Sequence, residues 1–512
     1  MMRKALTATL LLLVSCRLGA QAFIVTDKSC YIAGETVNCS AFCPKGASVL
    51  FVELFSSEGP ALKGRIAVRD GRGGGSLRLP LTLPTGNYRL VSRPQGGETA
   101  GGPVISVINT FTAARVEGGV EIVGDEEYGS YGYVPADTGY GISAGEGLSI
   151  VNTCADSVKI CVSLTRKDAL RSPARHTVAD LASLRMPSLA GDASRSGEVV
   201  KAVLAGPGSG QALSSGSVCA LIAVPGSKTD CYSSPPAEDG TVEFRTENIY
   251  GEKDIVCMLT GLPEGCDCHL ELRDPFEGME AGAIPPLRLC RSLEGDLLRR
   301  SALLRSSASD STAVSLPSPR EHFFLRHEAV TYLLDDYTRF PTMPEVFVEI
   351  TPELKLRRQG GVWQLFVIME MSVSDEPPVW GAALAMIDGV PVPDQNLVAT
   401  YDPSLVKAIE IYPHRYKLGA EEYEGVVNFV TFKRNMPGLA LPDDVRIYSW
   451  QGAALPYAAG GGDTLWWHPL IELAPGESFT LPVDASGAGA PLLLSAEGCD
   501  SAGRAVYLKK SL

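Results

Sequence analysis

Leu83-Pro84-Thr85-Gly86-Asn87-Tyr88-Arg89-Leu90 is a turn feeding a strand. Gly86-Asn87 supplies the turn, and Tyr88 and Leu90, two residues apart, point to one face of the strand that follows. The same grammar repeats outward from this stretch. Thr36 to Cys43 precedes a turn at Pro44-Lys45-Gly46, and Val49 to Phe55 is an apolar run. Gly71 to Gly75 breaks the chain, and Ser76 to Leu83 alternates. Short runs punctuated by Gly, Pro and Asn at this spacing predict a β-sandwich over residues 23–115 rather than helices.

The chain has 512 residues, 45% of them hydrophobic, and a net charge of −14. That length exceeds one hydrophobic core, so several domains are expected. No run of Lys and Arg stands out as the footprint of a duplex or an anionic lipid surface, so nucleic acid is not expected as a partner. Arg3 and Lys4 followed by the apolar Ala5 to Val14 read as an export signal within residues 1–22. The apolar run is much shorter than the ~20 residues of a spanning helix. Two cleavage readings stand. Leu13-Val14-Ser15-Cys16 resembles a lipobox that would make Cys16 the lipidated first residue, whereas Ala20-Gln21-Ala22 has the small-x-small pattern of an ordinary signal peptidase site. Either reading places the protein in a cell envelope, at the periplasmic face of the outer membrane or held there by a lipid.

Of the 13 cysteines, 12 lie beyond the signal. An even number in an oxidising compartment predicts disulfides, above all among Cys219, Cys231, Cys257, Cys266, Cys268 and Cys290. Cys39 and Cys43 sit four apart on a predicted strand, ~13 Å by the usual rise, too far to pair with each other.

Further along, residues 116–197 read as a second β-sandwich with a linker, Lys159 to Thr165 being its clearest strand. Residues 198–290 form a third sandwich. Residues 291–325 combine helical spacing from Leu293 to Leu304 with a Ser/Pro-rich linker. The stretch 326–438 changes to α+β. Thr342 and Glu345 have capping-box spacing with Pro344 in the first turn, which predicts a helix start. Gln364 to Val373, Ala382 to Ile387, Ala408 to Tyr412 and Gly425 to Phe432 read as strands, and Asp402-Pro403 as a cap. Residues 439–512 read as a terminal β unit. The fold class expected is therefore mainly β, with tandem sandwiches, a small α+β domain and a β terminus.

Three groups carry a resemblance. Asp27, Tyr31, Gly34 and Glu35, then Val49-Leu50-Phe51-Val52-Glu53-Leu54, then the opening stretch, resemble a macroglobulin-type module, and the tail from Asp463-Thr464-Leu465-Trp466-Trp467 to Tyr507 resembles the same strand set. Asp239-Gly240-Thr241-Val242-Glu243-Phe244 is similar to the turn-strand of carboxypeptidase regulatory-like sandwiches. Ile387-Asp388-Gly389-Val390-Pro391, Asp402-Pro403-Ser404-Leu405 through Ile411, and Tyr423-Glu424-Gly425-Val426-Val427-Asn428-Phe429 resemble the plug of TonB-dependent receptors. Only 74 residues follow Gly438, far fewer than a barrel of ~22 strands at about ten residues each requires. Transport by this chain alone is not expected.

No constellation reads as an active site, a cofactor site or a metal site. Cys266, Cys268 and His269 lack the second pair of a zinc site. His322 and His327 have no HExxH pattern around them, and neither a G-x-S-x-G elbow nor a P-loop occurs. Cys499 is followed by Asp500-Ser501, so the macroglobulin thioester is absent. In Trp466-Trp467 one ring should face the core and at most one the surface. The candidate interface is Tyr412, His414, Arg415 and Tyr416, a Tyr-Pro-His-Arg-Tyr run with residue types common at hot spots; the competing reading buries both tyrosines and leaves Arg415 a solvated charge. The function expected is a non-enzymatic adaptor engaging an outer-membrane protein. The alternatives are an accessory subunit of a separate barrel and an envelope hydrolase or protease trap.

Overall fold

The structure, a computed structural model, describes residues 20–512 apart from 133–135, 168, 174–175, 181–183, 185–187, 190–196, 226–229, 248, 307–310, 314–326, 371–378, 420, 440, 455–456, 462 and 484–490. Cys16 and His322 lie outside the described residues. The fold is mainly β, as the sequence predicts, and it divides into two units interleaved along the chain. One draws on the segments up to Arg195, Met279–Thr312 and Pro456–Leu512, the other on Ser196–Gly278 and Ala313–Leu455.

In the first unit, the opening sandwich runs in the order Phe23–Thr26, Thr36–Phe42, Arg72–Arg78, Gly59–Arg69, Val49–Ser56, Gly86–Pro94, Ala100–Ile108 and Cys30–Ile32. The long strand Gly59–Arg69 pairs with Val49–Ser56 along most of its length and with Arg72–Arg78 at its end, so it turns the corner between the two sheets. Tyr31, Val37, Leu50, Val52, Leu54, Ile66, Tyr88 and Leu90 fill the space between. Tyr88 and Leu90 face the core as predicted, but Gly86 and Asn87 open the strand itself, opposite Val107 and Ser106. The turn falls earlier, at Leu81-Thr82, where the Leu83 amide donates to the Pro80 carbonyl at 3.1 Å.

The second sandwich is assembled from distant parts of the chain. Its larger sheet follows the order Thr138–Tyr140, Ala505–Ser511, Leu492–Asp500, Val158–Arg166, Thr464–Leu473 and Tyr457–Gly461. Facing it, Ile142–Ala144 pairs with Ser149–Asn152 and that strand with Ser478–Thr480. The expected independent β unit at 439–512 is thus replaced by strands that complete earlier sheets. Val158–Arg166 is central and buried on both faces. Val158, Ile160, Val162 and Leu164 enter the sandwich core, and the alternate Cys161, Ser163 and Thr165 turn toward the opening sandwich. The expected linker at 291–325 contains the helix Glu294–Ser306, which buries Arg300 and Ser301.

The second unit begins with a sandwich whose sheets are Thr241–Arg245, Val199–Ala205, His269–Leu272 and, opposite, Asp230–Ser234, Cys219–Val224, Glu252–Thr260, Arg446–Gln451. The last strand again comes from beyond the α+β segment. That segment forms one sheet in the order Val330–Leu333, Val406–Tyr412, Gly425–Thr431, Val379–Ile387, Val362–Glu370, Leu354–Gln359. Its one long-range parallel pairing joins Val379–Ile387 to Gly425–Thr431.

The residues that carry the plug resemblance have local structural work. Asp388, at φ 49°, accepts from the Thr431 amide and hydroxyl at 2.7 Å each and from the Met436 amide at 2.8 Å, fixing the end of the closing strand. Asp402 accepts from the Ser404 amide at 2.8 Å. A Cβ on Gly425 would lie 2.4 Å from a Val367 methyl, so only glycine lets these strands close. Thr342 Oγ1 accepts from the Glu345 amide at 3.4 Å while Glu345 accepts from the Thr342 amide at 3.2 Å, opening the helix Met343–Glu349 as predicted. Thr342→Ala is expected to cost about 1 kcal/mol, read as a shift of the urea midpoint, with Thr342→Asp retaining most of it.

Candidate functional site

The α+β sheet is covered unevenly. On one face, Met343, Val346, Phe347 and Val398 from two short helices pack on Leu365, Val367, Ile387, Ile409, Ile411, Val427 and Phe429. On the other face, Leu384, Met386, Tyr412 and Val426 pack on Leu221, Ala223, Val256 and Met258 of the neighbouring sandwich sheet. The inner strands are therefore buried on both sides, which explains their near-continuous apolar runs. The two outer strands reach past this second cover. There Lys355 and Arg357 are exposed, while Gln364, Phe366, Ile368 and Trp380 are half-buried. The Lys355 ammonium stands 3.9 Å from the Trp380 ring centre, and the Arg357 guanidinium 5.2 Å from that of Phe366. On the opposite face Arg358 lies 5.8 Å from the Trp363 ring centre. This basic and aromatic half-face is the candidate site. Sequence reading missed it because three cations are too few to stand out in an acidic chain; the signal present was Lys355-Leu356-Arg357-Arg358 beside Trp363 and Phe366.

The candidate run at 412–416 does not form one patch. Tyr412 is 8% exposed and belongs to the contact with the sandwich sheet. Burial, aided by Glu410, pushes its phenol up to about 12. Tyr416 is half-buried on the same cluster, and burial raises its phenol further. His414 is exposed, with its ring centre 4.0 Å from that of His327. Arg415 is exposed but faces its own hairpin, 2.9 Å from Glu424 and 3.9 Å from Glu422. The aromatic area expected at the surface is thus largely spent inside.

In the first unit, a charged joint ties three chain segments together. The Arg300 side chain is wholly buried. Its Nε lies 2.8 Å from Asp463, and its Nη2 donates to the Cys30 carbonyl at 2.8 Å and approaches Glu35 at 3.4 Å. Arg299 reaches Asp463 at 3.0 Å and Lys28 reaches Glu35 at 3.0 Å. Asp27 accepts from Tyr31 Oη at 2.8 Å and Thr464 Oγ1 at 2.6 Å. Of the residues that carry the macroglobulin resemblance, Asp27, Glu35 and Asp463 are therefore the acceptors of this joint, and Tyr31 and Thr464 donate to it. Beside it lies a cavity of about 140 Å³, walled by Ser163, Thr165, Ser495, Glu497, His176 and Lys509 among others. Ligand pockets are usually about 300–1,000 Å³, so this polar space suits a few waters better than a substrate.

The described cysteines are thiols, and the expected disulfides do not occur among them. Strand register explains the third sandwich. Cys219 lies opposite Thr260, Cys257 opposite Ile222, and Cys231 opposite Ala223. Cys257 faces one core and Cys219 and Cys231 the other, so the cross-strand approach a bridge needs does not arise. Burial pushes Cys43, Cys161 and Cys257 up to about 12, which keeps them protonated and unreactive. Arg72 stacks 3.8 Å from the Phe42 ring centre, and each of Cys43, Cys161 and Cys499 lies within electrostatic reach of its guanidinium. Among the described residues no three metal-ligating side chains converge, Cys266, Cys268 and His269 included. Trp467 is buried, whereas Trp466 is half-buried and stacks on Phe479.

No protein-family model and no curated protein matches the chain. Among solved structures, the trypsin-activated alpha-2-macroglobulin of Escherichia coli is 9% identical over 96% of this chain and 41% of that one, with a TM-score of 0.23. The Salmonella alpha-2-macroglobulin reacted with methylamine is 11% identical over 96% and 39%, with a TM-score of 0.22. The BSP domain of a biofilm-associated protein is 11% identical over 52% and 31%, with a TM-score of 0.16. The chain spans less than half the length of either macroglobulin. At such scores the likeness is one of β-rich construction and says nothing of what this chain binds.

Proposed function

We propose that the chain is a non-enzymatic binding protein of a bacterial envelope, in which the sandwiches act as a spacer and the α+β body as the recognition head. The observation that carries this reading is the half-open sheet face. The inner strands are covered on both sides, yet the outer strands leave Lys355, Arg357, Phe366 and Trp380 at the surface. Arg and aromatic residues are the types enriched where proteins bind one another. The plug-like resemblance of 326–438 rests on its motifs and supports a partner at the outer membrane. Lipidation at Cys16 would hold the head near it.

A photo-crosslinking residue at Gln364 is expected to capture a membrane protein in intact cells, and the same residue at the exposed Ser214 is not. Arg415→Glu is expected to leave that capture unchanged, because Arg415 already spends its charge on Glu422 and Glu424. Equal labelling from both positions, or none from Gln364, would remove the head from the proposal.

A further inference from the structure

We propose that the outer edge of this head, the strand Leu354–Gln359, takes an acidic, extended polypeptide segment as an added strand. The inference rests on the reading of the α+β body as a recognition surface and names the chemistry of its partner.

Leu354–Gln359 ends the sheet order and, among the described residues, pairs only with Val362–Glu370. The Ile368 amide donates to the Glu353 carbonyl at 3.0 Å. Alternation along an antiparallel ladder then turns the backbone groups of Lys355 and Arg357 inward, and those of Leu356 and Arg358 outward. The outward groups are a template for another strand.

The side chains restrict which strand can join. Lys355, Arg357 and Arg358 have no carboxylate partner among the described residues, in contrast to Arg415. A second copy pairing antiparallel, outward groups against outward groups, would centre on Leu356 and set Lys355 of each copy against Arg357 of the other, a juxtaposition of like charges that disfavours self-association. A segment with carboxylates at alternate positions meets Lys355 and Arg357 on the open face. Its other side faces Leu354 and Leu356 and suits apolar residues. The edge charges thus guard against like strands and leave the ladder open to an acidic one. A glycan is the poorer fit, because the Lys355 ammonium occupies the Trp380 ring face on which a sugar would stack.

The test uses the full chain and a fluorescent peptide alternating glutamate and valine, read by anisotropy. Binding is expected, weakening with salt, and absent for a lysine-valine peptide. The double variant Lys355→Glu, Arg357→Glu should abolish it. Arg358→Pro removes one outward donor and should weaken binding about tenfold, the scale of one lost hydrogen bond. Should that variant fold poorly, the parent chain can be titrated with the same peptide N-methylated at alternate residues, which cannot complete the ladder. Tight binding of the N-methylated peptide, preference for polygalacturonate, or indifference to the charge reversal would overturn the proposal. Capture from Gln364 in cells without peptide binding would sink this inference alone; loss of both would sink the recognition head with it.

Discussion

Arg300→Met is expected to lower the unfolding free energy of the unit that contains it by about 3–5 kcal/mol, the usual result of removing one partner from a buried ion pair. The side chain is wholly enclosed and joins the loop before Thr464–Leu473 to the opening sandwich through Asp463, Glu35 and the Cys30 carbonyl. Methionine fills much of the volume but leaves two buried carboxylates with one cation each, Arg299 and Lys28. The effect should therefore fall toward the lower end of that range. Arg300→Lys keeps the charge but cannot fork between Asp463 and the carbonyl, so an intermediate loss is expected. Urea denaturation of the three proteins checks the order, and equal midpoints would show the joint to be energetically idle.

The joint also sets a pH dependence. Burial alone would raise the Asp463 carboxyl, but Arg300 and Arg299 outweigh it and hold the group below the usual carboxylate range. Its stabilisation is present above the unfolded pKa and is lost as pH falls through the lower folded value. Asp27 runs the other way: burial outweighs Lys28, Thr464 and Tyr31 and raises it. Its contribution is present below the unfolded pKa and is lost as pH rises through the folded one. Arg300→Met should reduce the loss of stability on acidification due to Asp463 and leave the loss on raising pH due to Asp27.

Truncation after Val483 is expected to abolish cooperative unfolding of the same unit. It removes Leu492–Asp500 and Ala505–Ser511, and with the first of these one of the two neighbours of Val158–Arg166. The buried Leu492, Leu494, Val506 and Leu508 go with them. At about 1.5–3 kcal/mol each, their loss approaches the 5–15 kcal/mol by which a whole domain is stable. The other unit draws no core residue from this segment. Limited proteolysis should accordingly leave a resistant product from the interleaved segments within 197–454, and survival of both units intact would refute the assembly of the second sandwich.

What could be read in the sequence was local. The inward Tyr88 and Leu90, the Thr342/Glu345 box, the Asp402 cap and the burial of one ring of the Trp466-Trp467 pair each follow from a few neighbouring residues. The structure contains all four, although the turn expected at Gly86-Asn87 falls at Leu81-Thr82. Pairing at long range could not be read that way. Alternation in Val158–Arg166 shows two buried faces, but nothing in those nine letters names 464–473 and 492–500 as the neighbours. Arg300 sits in a helix whose spacing is legible but which reads as part of a linker, because a buried guanidinium is recognisable only beside its carboxylates. Cysteine parity suggested bridges, and it was strand register, set by residues on other strands, that kept the thiols apart. The basic edge at 354–359 had a legible composition but became a site only once the sheet order left it last.

The interleaving of the two units has a consequence for the order in which the chain can fold. Val158–Arg166 must await partners about 300 and 330 residues downstream, so its sheet can close only after nearly the whole polypeptide is available. Such non-local pairing is slow, and an unpaired apolar strand is exposed to aggregation while it waits. The inner unit can collapse first, and in doing so it shortens the loops that the outer strands must close. A chain threaded across a membrane from its amino end would thus spend its passage with its opening sandwich able to close and its second sandwich half made, an interval in which a holding chaperone could act.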